Sequence, residues 1–241
     1  MKQQLYKFLG EFEECCENCG RKSEDIEILF ATKYINPFDL AQFIGIAHER
    51  LDRIVTIGEN RVQAAEEKLN YINMSHPDLK ELFKMVMIGN LQTNKINKAI
   101  EVFEEIHAID SIKLAQLLDT KLQVKSKKMR IFLEVNVSGE RTKHGLNPEE
   151  LDKMIVRVGQ LKNLELKGLM TMAPYEDNLE KIRVIFRKLR QLANTYQLKT
   201  SMGMSHDWKV AVEEGSDMVR IGSYIFNSGG TSDFLVEDSA R

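Results

Sequence analysis

The feature that most constrains the fold of this 241-residue chain is an alternation, repeated eight times, between a short β-type apolar run and a helical pattern. A further amphipathic helix over residues 2–19 precedes the first run. Eight such units in about 200 residues, with short connections, favour an α/β fold of the closed (β/α)8 TIM-type barrel class with an extra N-terminal helix. An open doubly wound sheet is the alternative. The predicted strands are residues 26–32, 53–57, 85–88, 105–109, 130–137, 165–170, 199–202 and 218–221.

Length and composition predict one domain over residues 1–226, followed by a Gly/Ser/Asp-rich flexible tail over residues 227–241. The net charge is only -2 and no basic stripe is present, which argues against a nucleic-acid partner. No apolar run approaches the roughly eighteen residues of a membrane span, and residues 1–19 lack the apolar core of a signal peptide. We therefore expect a cytoplasmic protein with no membrane or nucleic-acid partner, and a monomer rather than an oligomer.

The three cysteines, Cys15, Cys16 and Cys19, are clustered in the first predicted helix. A zinc site needs about four ligands, and none of the five histidines stands at a matching spacing nearby. No metal site is predicted. Reduced thiols are the favoured interpretation, and redox sensing is the alternative.

The residues that close the apolar runs are expected to form a ring, because the carboxyl ends of parallel barrel strands meet at one mouth. Lys33 closes the first run and, by the two-residue period of a strand, shares one face with Leu29 and Ala31. If that face is the barrel interior, desolvation lowers the pKa of the lysine and makes it a nucleophile toward aldehydes. The alternative is a strand-end lysine that extends to water.

The seventh and eighth runs end in loops rich in serine and glycine, at residues 201–205 and 220–223. Barrels often bind phosphate with the loops after these two strands. Ordinary helix caps use the same residue types, so this composition alone is weak evidence. A lysine amine and a phosphate cradle on one rim suggest pyridoxal 5'-phosphate as the cofactor. The predicted phosphate donors are the hydroxyls of Ser201, Ser205 and Ser223 and the amides of Met204, Gly222 and Ser223.

Arg220 lies within the apolar eighth run, where a buried guanidinium must find an acceptor. One candidate is the carboxylate of Glu134 in the fifth run. The other is the pyridine nitrogen of the cofactor, which an arginine would leave unprotonated because it keeps its own proton. A ring in that state is a weak electron sink, which disfavours deep carbanion chemistry.

Seven segments of the chain, in order, resemble the pyridoxal phosphate homeostasis protein family. The resemblance covers residues 26–226 and implies a single barrel similar to the N-terminal domain of alanine racemase. The chain departs from the family pattern at residues 85–87, where Trp-His-Phe is frequent, and at Asn227, where glycine is usual. The matching segments are FATK (30–33), IGENRVQ (57–63), IGNLQTNK (88–95), KHGL (143–146), GLM (168–170), SMGMS (201–205) and VRIGSYIF (219–226).

The resemblance implies that Lys33 holds pyridoxal phosphate as a Schiff base and that Arg220 faces the pyridine nitrogen. It further implies that Asn60 and Asn136 line the pocket. The residues it places around the phosphate are Ser201, Ser205, Gly222 and Ser223.

The function implied by the resemblance is cofactor supply and amino-acid balance without robust catalysis. No catalytic residue is assigned, and apo-enzymes that need pyridoxal phosphate are the expected partners. The alternative is a pyridoxal-phosphate-dependent racemase or decarboxylase. A racemase would need a second base opposite Lys33, usually from another domain or subunit. A sugar-phosphate isomerase on a bare barrel would leave Lys33 unexplained.

Overall fold

The computed structural model describes residues 1–140, 144–176 and 178–226. In this part of the chain, eight parallel strands close into a barrel in which each strand pairs with its neighbours in sequence and β8 pairs with β1. The predicted barrel is therefore confirmed, whereas the predicted tail over residues 227–241 lies outside the described residues. The strands are β1 (Glu27–Ala31), β2 (Val55–Glu59), β3 (Phe83–Met87), β4 (Glu105–Ile109), β5 (Met129–Glu134), β6 (Leu164–Met170), β7 (Lys199–Ser201) and β8 (Met218–Ile221).

Helices follow the strands and cover the outside of the barrel. Local sequence fixes several of their starts: Asn36 caps α2 by accepting from the amide of Asp39, and Ser111 caps α5 by accepting from the amide of Leu114. The predicted N-terminal helix is present and packs Phe8 edge-on against Trp208 of α8, with ring centroids 5.2 Å apart. The helices are α1 (Lys2–Asn18), α2 (Pro37–Leu51), α3 (Val62–Ser75), α4 (Ile96–Val102), α5 (Ile112–Val124), α6 (Leu151–Val158), α7 (Leu179–Thr195), α8 (Trp208–Glu213) and α9 (Ser223–Phe226).

The inside of the barrel is filled and carries charge at its N-terminal end. Its middle is occupied by the buried side chains of Leu29, Val86 and Met218, which form one apolar cluster. Below them lies a group that we call the basal ion-pair cluster. The Lys84 ammonium lies 2.8 Å from carboxylate oxygens of both Glu27 and Glu105, and the Arg130 guanidinium lies 3.1 Å from Glu105. The members of the basal ion-pair cluster are Glu27, Lys84, Glu105 and Arg130.

Six strands differ from their predicted bounds by up to three residues at an end, and the ends of β2 and β5 have a clear physical reason. β2 ends at Glu59, two residues later than predicted, because Gly58 is a strand residue whose missing side chain leaves room for Leu29. A Cβ at Gly58 would lie 2.2 Å from Leu29 Cδ2, so glycine is required here by the packing of Leu29 and not by turn geometry. β5 ends at Glu134, three residues early, and its chain then turns toward residues 144–147, where the amide of Asn136 donates to the carbonyl of Leu146.

No helix in the described ranges is both long and apolar enough to cross a membrane.

Candidate functional site

Lys33 stands at the C-terminal mouth of the barrel, two residues beyond the end of β1, and its side chain is half-buried. The amide of Thr32 still donates to the carbonyl of Gly58, after which the amide of Ile35 closes a turn onto the carbonyl of Thr32. Lys33 and Tyr34 are the two central residues of this turn. The Lys33 ammonium lies 4.7 Å from the centroid of the Tyr34 ring.

Arg220 lies on β8 with its guanidinium buried beneath the mouth and only 5% of the residue exposed. Its Nη1 donates to both the carbonyl and the hydroxyl oxygen of Ser201, and its Nη2 donates to the carbonyl of Thr171, all at 2.8 Å. These acceptors lie at or just beyond the C-terminal ends of β7 and β6. The bonds therefore join three neighbouring strands and take three of the five N–H donors of the guanidinium.

Of the two candidate acceptors for Arg220, the Glu134 carboxylate makes no hydrogen bond with it among the described contacts; the carbonyls of Ser201 and Thr171 and the Ser201 hydroxyl accept instead. Glu134 influences Arg220 through its charge alone. Burial lowers the pKa of Arg220 to about 10, while the charges of Asp207 and Glu134 oppose that change. Burial also raises the pKa of Glu134, against the opposing charge of Arg220. Arg220 thus remains a cation at neutral pH.

The loops after β7 and β8 meet at the mouth, as predicted. The amides of Gly222 and Tyr224 both donate to the hydroxyl oxygen of Ser205, at 3.2 Å each. Gly222 packs so closely that a Cβ would lie 3.0 Å from the carbonyl oxygen of Ala31, on the strand that leads to Lys33. Both amides are bonded to the Ser205 oxygen in this structure, so a phosphate oxygen at this spot would replace that oxygen as their acceptor. With that exchange, two amides and a hydroxyl on one spot fit a phosphorylated ligand.

The other predicted phosphate residues are placed differently. The Met204 amide, predicted to be a phosphate donor, donates to Asp207 Oδ1 at 2.5 Å in this structure. Asp207 precedes α8 and makes no side-chain capping bond to that helix, so its buried carboxyl takes the Met204 amide as a donor instead. Ser201 is fully buried and faces Arg220, whereas Ser223 is exposed at the start of α9.

The two predicted pocket asparagines also differ from each other. Asn60 follows β2 directly and is half-buried against Gly89, where a Cβ would lie 2.5 Å from the Asn60 carbonyl oxygen. The Asn136 side chain instead folds into its own loop, donating to the carbonyl of Glu140 and accepting from Ser138 and Gly139. Such local bonds are typical of asparagine in turns. The placement of Asn136 in the pocket stays a prediction, with its side-chain amide bonded within its own loop in this structure.

One group behind Lys33 was missed by the sequence analysis. Lys68 of α3 is buried with 4% exposure and reaches Glu59 and Thr32 at the ends of β2 and β1. A signal existed, because Lys68 shares the apolar face of α3 with Ala65 and Ile72. A lysine on the buried face of a helix must find a partner.

The cysteines lie apart from the mouth and are free thiols. Burial raises the pKa of Cys15 to about 12 and that of Cys16 to about 11, so neither is a reactive thiolate at neutral pH. Among the described residues, no group of three or more His, Cys, Asp or Glu side chains could hold a metal ion.

Comparison with known proteins identifies the family of the chain. The family model of the alanine racemase N-terminal domain matches residues 43–228, so the fold and the site define a barrel of that class. A protein of Aquifex aeolicus named pyridoxal phosphate homeostasis protein is 35% identical over 231 residues, covering 93% of this chain and 96% of the relative. Another of that name, from Pseudomonas aeruginosa, is 37% identical over 230 residues, covering 94% of each chain. The chain belongs to the pyridoxal phosphate homeostasis protein family, as its motifs predicted.

A solved structure of PipY from Synechococcus elongatus, with pyridoxal phosphate bound, is also similar. Its TM-score is 0.74 at 29% identity, and the match covers 84% of this chain and 92% of that one. The curated relatives carry names for homeostasis rather than for a catalysed reaction.

Proposed function

We propose that this chain binds pyridoxal phosphate at the C-terminal mouth of the barrel, holds it covalently on Lys33 and acts in the homeostasis of that cofactor. The observation that carries the proposal is the convergence at this mouth of three kinds of group. These are the half-buried residue Lys33 with its amine, the buried cation of Arg220, and the donor set of Ser205, Gly222 and Tyr224. The PipY structure supports it, because a similar barrel binds the same cofactor.

Attachment at Lys33 is a condensation without any redox change. The Lys33 nitrogen adds to the aldehyde carbon, a C=N bond forms, and the aldehyde oxygen leaves as water. Ser205 and the amides of Gly222 and Tyr224 would hold the phosphate, and Arg220 would face the ring nitrogen. When bound, the cofactor supplies an electron-withdrawing ring.

The charge of Arg220 favours a role in holding the cofactor over a role in catalysis. Because the pKa of Arg220 is lowered only to about 10, the guanidinium keeps its proton at neutral pH and cannot protonate the ring nitrogen. An unprotonated nitrogen makes the ring a weaker electron sink, so carbanion chemistry of the racemase or decarboxylase kind gains little. The names of the curated relatives agree with this assignment.

We further propose that the protein acts as a monomer in the cytoplasm, with residues 1–226 as one domain, and supplies pyridoxal phosphate to apo-enzymes. Its matched relatives are bacterial, and its free thiols suit a reducing compartment.

Borohydride trapping tests the covalent proposal. The protein is loaded with pyridoxal phosphate, reduced, digested and analysed by mass spectrometry. We expect the reduced cofactor on Lys33 alone and no label in Lys33→Ala. Lys95→Ala is the matched control, because Lys95 is another half-buried lysine, following β3 near the same end of the barrel, and its loss should leave the label unchanged. An unlabelled wild-type protein, or a label that persists in Lys33→Ala, would refute the proposal.

A further inference from the structure

A buried polar group lies directly behind the turn that carries Lys33, on the side that faces the helices. Glu59 Oε1 accepts from both the Lys68 ammonium and the Thr32 hydroxyl, each at 2.5 Å, and the Lys68 ammonium also donates to the Thr32 carbonyl at 2.7 Å. We call Thr32, Glu59 and Lys68 the rear triad. It joins the C-terminal ends of β1 and β2 to α3.

The rear triad is a costly arrangement on general grounds. Glu59 is 0% exposed, Lys68 is 4% exposed, and Glu59 Oε2 has no hydrogen-bond partner among the described residues. Two charges removed from water at such a site often contribute no more stability than apolar residues of the same volume. Stability of the fold therefore gives little reason for an ion pair here, and its contacts indicate another role.

Those contacts lie on the backbone that presents Lys33. The Thr32 carbonyl accepts from Lys68 and also from the amide of Ile35, which closes the turn with Lys33 at its centre. The Thr32 amide is bonded to Gly58, and the Thr32 hydroxyl is bonded to Glu59. The residue before Lys33 is thus held at its amide, its side chain and its carbonyl. Thr32 faces the helices, because its hydroxyl is bonded to Glu59 and its carbonyl to Lys68 of α3.

We propose that Glu59 and Lys68 are positioning residues for Lys33. They fix the turn from behind, so that the lysine amine reaches the aldehyde carbon of the bound cofactor in a reactive geometry. This inference rests on the proposed attachment at Lys33. A displacement of about 1 Å at a reacting centre can cost about a hundredfold in rate, so loosening the turn should slow attachment while leaving the phosphate donors in place.

The test replaces the pair by uncharged residues of similar shape, in the double variant Glu59→Gln/Lys68→Met. Its matched control is Glu66→Gln/Lys98→Met, which removes a pair of the same residue types, 2.7 Å apart, between α3 and α4. Three quantities are measured for each protein. They are the rate of borohydride-trappable attachment to Lys33, the affinity for pyridoxine 5'-phosphate, and the thermal midpoint without ligand. Pyridoxine 5'-phosphate carries the ring and the phosphate but has an alcohol in place of the aldehyde.

For the rear-triad variant we expect attachment to slow by about tenfold or more. We expect its affinity for pyridoxine 5'-phosphate to stay within about twofold of wild type, and its midpoint to be no lower than that of wild type. The control should match wild type in all three. Wild-type attachment rates in the rear-triad variant would overturn the inference. So would equal losses of attachment and pyridoxine 5'-phosphate affinity, because a purely structural role moves both.

A second variant keeps the inference testable if the double variant does not fold. Thr32→Val keeps the ion pair but removes the hydroxyl that joins it to β1, and it should slow attachment by about threefold. An unchanged rate would again overturn the positioning role. A wild-type protein that carries no label at Lys33 would instead refute the proposed function, so the two failures are distinguishable.

Discussion

Gly203 offers a quantitative test of how the loop after β7 is built. Its φ is +95°, and a Cβ at this position would lie 2.4 Å from Ala211 Cβ and 3.2 Å from Trp208 Cα. In Gly203→Ala, the backbone strain costs about 1–2 kcal/mol and the overpacking about 1–3 kcal/mol. A combined loss of about 3 kcal/mol lowers the thermal midpoint of a chain of this length by about 6–12 °C. The loop holds Ser205, so pyridoxal phosphate affinity should fall as well.

Two further variants separate the strain from the collision. Gly20 has a φ of +66° and nothing within 4 Å of its hypothetical Cβ, so Gly20→Ala should show the strain alone. Adding Ala211→Gly to Gly203→Ala removes the colliding methyl group, at about 1 kcal/mol for a glycine in α8. The double-mutant cycle should therefore give a coupling energy of about 1–3 kcal/mol, measured from unfolding in urea. A Gly203→Ala variant as mild as Gly20→Ala, or a coupling near zero, would refute the argument.

Two other predictions concern ionisable groups. Burial alone would raise the pKa of Glu105, but hydrogen bonds from His107 and Lys84 outweigh it and bring the pKa to about 2. A carboxyl with a depressed pKa contributes stability above its unfolded value of 4.5 and loses it as the pH falls toward 2, here about 3 kcal/mol. Glu105→Gln should flatten the fall of the urea midpoint below pH 4.5, and an unchanged slope would contradict this assignment. The raised pKa values of Cys15 and Cys16 predict alkylation by iodoacetamide at pH 8 at least about tenfold slower than that of free cysteine. Rapid labelling would favour the redox-sensing alternative.

The repeating pattern predicted the barrel because each strand and each helix has its own local period. The order of the eight strands and the presence of α1 needed no long-range information. Gly58 is a position whose role could not be predicted from these local patterns. An isolated glycine suggests a turn, whereas here it is a strand residue whose small size is required by Leu29 on the neighbouring strand.

The site was predictable in its location but not in its hydrogen bonds. Lys33, Ser205 and Gly222 follow β1, β7 and β8 at the same end of the barrel, because the carboxyl ends of the strands must meet. The acceptors of Arg220 could not be predicted, since backbone carbonyls compete with Glu134 and the sequence does not encode their relative distances. Local competition also explains Asn136, whose amide is satisfied within its own loop.

The basal ion-pair cluster and the apolar layer above it limit how the cofactor can move. Because the barrel is closed below the mouth, a molecule held at Lys33 has to leave by the opening through which it entered. Under the proposed function, binding of pyridoxal phosphate and its release to another protein would use the same opening and could not occur at the same time. A recipient enzyme of the kind proposed above would therefore have to approach the same face of the barrel that free pyridoxal phosphate uses.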